Sequence, residues 1–124
     1  MPEILSYHDL VCWQKAVDLA LLVCTITGKY PDDERFGLSA HTRKTAVSVP
    51  SNIAEGIRHK KQGYITRVTR VTIGLGEHAE LETQLIIGNR LGYVSLTDMQ
   101  RFDELATSVG QLTHALLRSL DTGT

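Results

Sequence analysis

The chain is short of what most specialised folds require. It has three prolines and ten glycines in 124 residues, too few for a loop-rich all-β protein, and aromatics make up 6%. No apolar run approaches the ~20 residues of a membrane span. The first residues, MPEILSYHDL, lack a basic segment leading into an apolar one, the pattern of a secretory signal. Cytoplasm without membrane attachment is therefore the expectation. Neither charge sign dominates: 14 acids stand against 13 bases, unlike a highly basic nucleic-acid protein. Cys12 and Cys24 are the only cysteines. On one helix they would be ~18 Å apart, far beyond disulfide reach, so both are expected reduced.

What is present is an ordinary globular mixture, 42% hydrophobic and 22% charged, of a length that suits one domain. Apolar residues recur at helical spacing in four segments, roughly 9–28, 37–60, 64–91 and 96–121. In the first, Leu10, Trp13, Val17, Ala20 and Cys24 share a face. Leu38, Ala46, Val49, Ile53 and Ile57 mark the second, with Pro50 inside it as an expected kink. Val68, Val71, Leu75, Leu81 and Leu85 mark the third. The fourth has the cleanest stripe, Phe102, Leu105, Val109, Leu112, Leu116 and Leu120, with Ser95 placed to cap it. Short connections imply antiparallel neighbours, so the fold class is all-α, an up-down-up-down four-helix bundle. Between residues 16 and 26 nine of eleven positions are apolar, more than one stripe needs. Leu19, Leu22, Val23 and Ile26 are accordingly expected at a contact between copies of the chain.

Enzymatic motifs are weak. GLGEHA at 74–79 fits G-x-G-x-x-A, but the helical period runs through its glycines and no neighbouring strands are evident. The better reading is that Gly74 and Gly76 let a helix approach closely. Three residues before the five histidines lie Leu5, Leu38, Gly56, Leu75 and Gln111, so the Glu-x-x-His of a di-iron bundle is missing; no metal or other cofactor is expected. His78 and Glu82 stand four residues apart, close enough to touch. There is no G-x-S-x-G nucleophile turn and no phosphate loop. Ser48, Asn52 and Glu55, with Glu80 and Glu82 on the next helix, are read as a hydrogen-bonded network supporting the Pro50 region. The sharper reading, a catalytic carboxylate pair, lacks an accompanying nucleophile or metal.

Charge placement carries the functional signal. Residues 41–70 hold seven bases, Arg43, Lys44, Arg58, Lys60, Lys61, Arg67 and Arg70, against the single acid Glu55, while the other 94 residues carry six bases and thirteen acids. Several of these bases gather about the connection of the second and third helices. One end of the bundle is thus expected to be electropositive and suited to phosphate; the plainer alternative is a solvated turn.

Three segments, DLVCWQKAVDLA, RFGLSAHTRKTAVSVPSNIAEG and AELETQL, resemble the family of small four-helix-bundle proteins encoded in 23S rRNA intervening sequences, in the same order and over nearly the whole chain. VPSNIAEG (49–56) is the most specific part. The recurrent positions of the family map to Trp13, Ala16, Gly37, Leu38, Ser48, Pro50, Asn52, Ile53, Glu55, Gly56, Glu80 and Glu82, which read as structural. The family is related to the accessory variability determinant proteins of diversity-generating retroelements. The resemblance implies a homopentamer without enzymatic activity, nucleic acid as a partner (structured RNA or an RNA–DNA hybrid), and association with a reverse transcriptase. A scaffold binding protein partners only is the alternative.

Overall fold

The computed structural model describes residues 6–58 and 63–122. Four helices account for most of them: α1 (Val11–Thr27), α2 (Leu38–Ile57), α3 (Tyr64–Arg90) and α4 (Leu96–Thr122). Short 3-10 turns, Tyr7–Asp9 and Asp32–Glu34, precede α1 and α2, and no strand occurs among the described residues. The expected segments are matched within a few residues, because an apolar period sets a helix more firmly than its ends. Each helix packs against its neighbours in the chain, α4 returns onto α1, and the α2–α3 contact is the most extensive.

The core draws one face from each helix. Ala16, Leu19, Val23 and Ile26 of α1 meet Ala46, Val49 and Ile53 of α2, Leu81 and Leu85 of α3, and Phe102, Ala106 and Val109 of α4. Burying each large aliphatic side chain is worth about 1.5–3 kcal/mol. The α4 stripe is shifted slightly from its expected centre: Phe102 and Val109 are fully buried, while Leu105, Leu112 and Leu116 pack at the margin. Ala106 and Thr113 take the middle, because small side chains let α4 sit close to its neighbours. Cys12 lies beside Thr113, with its sulfur 3.3 Å from the hydroxyl. Burial pushes that thiol above its ordinary pKa, so it stays protonated and unreactive. Both cysteines are free.

α2 continues through Pro50. The ring has no N–H, so the carbonyl of Ala46 loses its usual helical donor. Polar side chains crowd onto the same turns. Thr45 Oγ1 donates to His41 O (3.0 Å), Ser51 Oγ to Val47 O (2.8 Å) and Asn52 Nδ2 to Ser48 O (2.8 Å). These bonds support carbonyls in the turns that precede the proline, on either side of that of Ala46.

Gly56, nearly two turns beyond Pro50, sets the distance to α3. A Cβ there would stand 3.0 Å from Val71 Cγ2 and 3.2 Å from the Arg67 carbonyl oxygen. Backbone yields poorly, so only glycine suits this crossing. Gly74 faces α2 at ordinary contact distance, near Asn52 and Ile53, whereas Gly76 has nothing within 4 Å. Of the two glycines expected to admit a neighbouring helix, Gly74 alone does so.

The ends of the helices are tied by named groups. Ser95 Oγ accepts the Asp98 N–H at 3.1 Å, the expected cap of α4. Glu34 Oε1 accepts the Leu38 N–H at 3.4 Å, and its other oxygen accepts the Tyr93 hydroxyl at 3.1 Å. This carboxylate therefore fastens the start of α2 to the α3–α4 connection. Lys29 Nζ donates to Asp98 Oδ2 at 2.8 Å, joining the end of α1 to the first turn of α4. That bond holds the Asp98 carboxyl below its ordinary pKa, against the opposing effect of burial.

Two outcomes follow. Gly56→Ala should lower Tm, at a cost of about 1–3 kcal/mol from overpacking, although alanine is the better helix former. Gly76→Ala should instead raise stability by up to ~1 kcal/mol; thermal melts of both variants check the contrast. Because the Asp98 pKa is depressed on folding, its contribution is complete above the unfolded value and is lost as pH falls through the folded one. Melts between about pH 5 and about pH 3 should show the original chain losing stability more steeply than Asp98→Asn.

Candidate functional site

The close α2–α3 crossing at Gly56 places the end of α2 beside the first turns of α3. Arg58, just past α2, and Arg70, on α3, are both exposed, and Arg67 between them is half-buried. The Arg70 Cβ lies near the face of Gly56, 3.4 Å from where a Cβ there would stand. Three of the seven bases singled out in the sequence are thereby brought to one end of the bundle. Arg58 Nη1 is 3.9 Å from Glu55 Oε1, a solvent-exposed pair worth little energetically. Lys60 and Lys61 lie outside the described residues.

Arg43 and Lys44 belong elsewhere. They precede Arg58 by about four helical turns, roughly 22 Å along α2. Arg43 is also engaged: its Nε donates to Thr27 Oγ1 (2.8 Å) and its Nη2 to the Cys24 carbonyl (3.2 Å). It satisfies backbone at the C-terminus of α1, where a cation is favoured. This corrects its expected place in a phosphate-binding group. Lys44 is exposed on another part of the surface, beside Phe36, Leu38 and His41.

The expected polar network divides into separate contacts. The Ser48 hydroxyl shares its proton between Thr45 O (2.9 Å) and Glu77 Oε2 (2.8 Å). Asn52 stays on α2. Glu80 Oε1 lies 3.5 Å from His41 Nε2 and accepts from Gln84 Nε2 at 3.3 Å, again across the α2–α3 seam. Glu82 serves the other side of α3, with Oε1 3.3 Å from His78 Nδ1. The buried His78 ring also donates from Nε2 to the Ala106 carbonyl at 2.7 Å. Gly110 leaves room for that ring. Nε2 of His78 thus joins α3 to α4, while Nδ1 is engaged within α3 by Glu82, which is a packing arrangement. Glu77 was not signalled by the sequence, since its partner is on another helix. Among the described residues, no group of three or more His, Cys, Asp or Glu is placed to hold a metal ion. The G-x-G pattern lies within α3, without the strand and turn that dinucleotide binding needs.

The apolar surface also differs from expectation. Leu19, Val23 and Ile26 are 0–1% exposed within the single chain, so they have no area to offer another copy. Leu22 is half-buried against the same core. The width of the apolar band on α1 arises because that helix packs on both α2 and α4. One apolar surface that remains open lies between α1 and α2, a groove of about 420 Å³ whose walls include Trp13, Val17, Ala20, Leu21, Val47 and Pro50. Leu21 is 62% and Val47 52% exposed. Phe36, in the turn before α2, is 88% exposed. Its signal in the sequence was an aromatic residue set between the charges of PDDER and Gly37, outside every helical stripe.

No helix among the described residues is long and apolar enough to cross a membrane. No curated protein matches the chain. The family model described as 23S rRNA-intervening sequence protein matches residues 8–115, a span containing α1, α2, α3 and most of α4. The chain belongs to the 23S rRNA-intervening sequence protein family.

Proposed function

We propose that this protein is a non-enzymatic, homo-oligomeric helical bundle that binds structured RNA or an RNA–DNA hybrid through the α2–α3 end, as an accessory subunit of a reverse transcriptase in the cytoplasm. The observation that carries the reading is the gathering of Arg58, Arg67 and Arg70 at that end, next to Lys60 and Lys61 in the sequence. Guanidinium and ammonium groups meet phosphate without reading base sequence, so the binding would be electrostatic and tolerant of sequence. The family description refers to an intervening sequence of 23S rRNA, in keeping with an RNA partner.

The proposed bundle has up-down-up-down topology. Contacts that pair opposite ends of neighbouring helices support it: Thr27 with Arg43 and His41 with Glu80 between successive helices, and Lys29 with Asp98 and Cys12 with Thr113 between the first and the last. A ring of subunits, five by the family resemblance, would repeat the basic end around an axis and multiply its attraction through multivalency. The contacts within each subunit suit a structural role for Ser48, Asn52 and the α3 carboxylates.

A scaffold that binds protein alone is the second reading, favoured by the exposed Phe36 and the apolar groove. Titration with structured RNA and with heteroduplex at ~50 and ~200 mM salt separates the two, because phosphate binding releases counterions and weakens steeply over that range. Replacing Arg58, Lys60, Lys61 and Arg70 with alanine should weaken binding to all sequences alike, lowering the logarithmic salt slope by about one unit per lost contact. No binding at low salt, or binding unchanged in that variant, would overturn the nucleic-acid reading and leave the scaffold.

A further inference from the structure

From the geometry we infer that Phe36 of one copy docks into the α1–α2 groove of the next, making a head-to-tail contact. This inference rests on the homo-oligomeric reading above and names the two surfaces that would meet.

Phe36 is the most exposed large apolar side chain among the described residues, at 88%. It is also held in place before any partner arrives. The 3-10 turn Asp32–Glu34 leads into it and α2 begins two residues later. Glu34, two residues before it, is bonded to both the Leu38 N–H and the Tyr93 hydroxyl. The Arg35 guanidinium lies 5.3 Å from the centre of the Phe36 ring. A pre-positioned aromatic loses little conformational freedom on docking, which is the usual character of an anchor residue.

The groove supplies the complementary shape. Its volume of about 420 Å³ is ample for an aromatic side chain, and its walls are almost wholly apolar, with Trp13 and Leu21 from α1 and Val47 and Pro50 from α2. Such walls offer nothing to phosphate or to a charged ligand. Arg35 beside the anchor and Asp18, one helical turn before Leu21 in α1, are both exposed. Neither has an ion pair among the described residues. When a neighbour brings Phe36 into the groove, its Arg35 and this Asp18 supply opposite charges for the rim of the contact.

Anchor and groove are different surfaces of one chain, so the contact is heterologous. Each subunit both gives a Phe36 and receives one, and the series closes into a ring when the rotation between neighbours permits. Two variants isolate the halves. Phe36→Asp loses the anchor and keeps the groove, while Leu21→Arg spoils the groove and keeps the anchor. Both sites are exposed, so far-UV circular dichroism and melting should match the original chain.

Light scattering at micromolar concentration reads the assembly of the full chain. The original chain should be an oligomer, each variant alone a 13.7 kDa monomer, and an equimolar mixture of the two a one-to-one dimer. The dimer arises because one intact anchor and one intact groove remain between them. If the original chain is itself monomeric, the homo-oligomeric reading fails and this inference with it. If the original chain is oligomeric but Phe36→Asp retains its mass, assembly uses another surface and this inference alone is overturned. Two monomeric variants whose mixture stays monomeric would also overturn it, since the two surfaces would then not meet each other.

Discussion

The approach of α2 to α3 at Gly56 is the constraint on which the rest depends. A Cβ at that position would press on the Arg67 carbonyl and on Val71, and separating the helices there would also open the approach of Gly74 to Asn52 and Ile53. The same crossing aligns Ser48 with Glu77 and His41 with Glu80. It also gathers Arg58, Arg67 and Arg70 at one end. The residues around Pro50 fit the same constraint: a proline inside α2 removes one helical hydrogen bond, and nearby hydroxyl and amide side chains bond carbonyls in the turns before it. Fold and candidate site therefore share a cause, the close packing of one pair of helices.

Much of the fold was legible in the sequence, since helical periodicity is a local property. The stripe through Ala46, Val49 and Ile53, the Ser95 cap and the continuation of α3 through Gly74 all follow from spacing within a single segment. Features that depend on which helices meet were not legible. Leu19, Val23 and Ile26 looked like surplus apolar surface because the sequence does not say that α1 is flanked on two sides. A wide apolar band is what a helix with two neighbours in its own chain requires. Only the packed structure separates that from an interface between chains.

The charged residues show the same division. The excess of bases between residues 41 and 70 is plain, but linear proximity placed Arg43 and Lys44 in a group from which α2 holds them well apart. Arg43 instead serves carbonyls at the end of α1, a role visible only when α1 and α2 are seen side by side. Glu77 and Phe36 escaped notice for opposite reasons. The partner of Glu77 is distant in sequence, and Phe36 projects from the turn before α2, outside every helical stripe. Exposure of a large, firmly held aromatic residue is a property of the folded surface, and no periodicity announces it.

The central claim is that RNA is held at the α2–α3 end. Photocrosslinking of the intact protein to structured RNA, followed by mapping of the crosslinked peptides, tests this without altering any residue. The account predicts crosslinks concentrated between residues 58 and 70. Crosslinks concentrated instead in the acidic turn between residues 28 and 37 would contradict it.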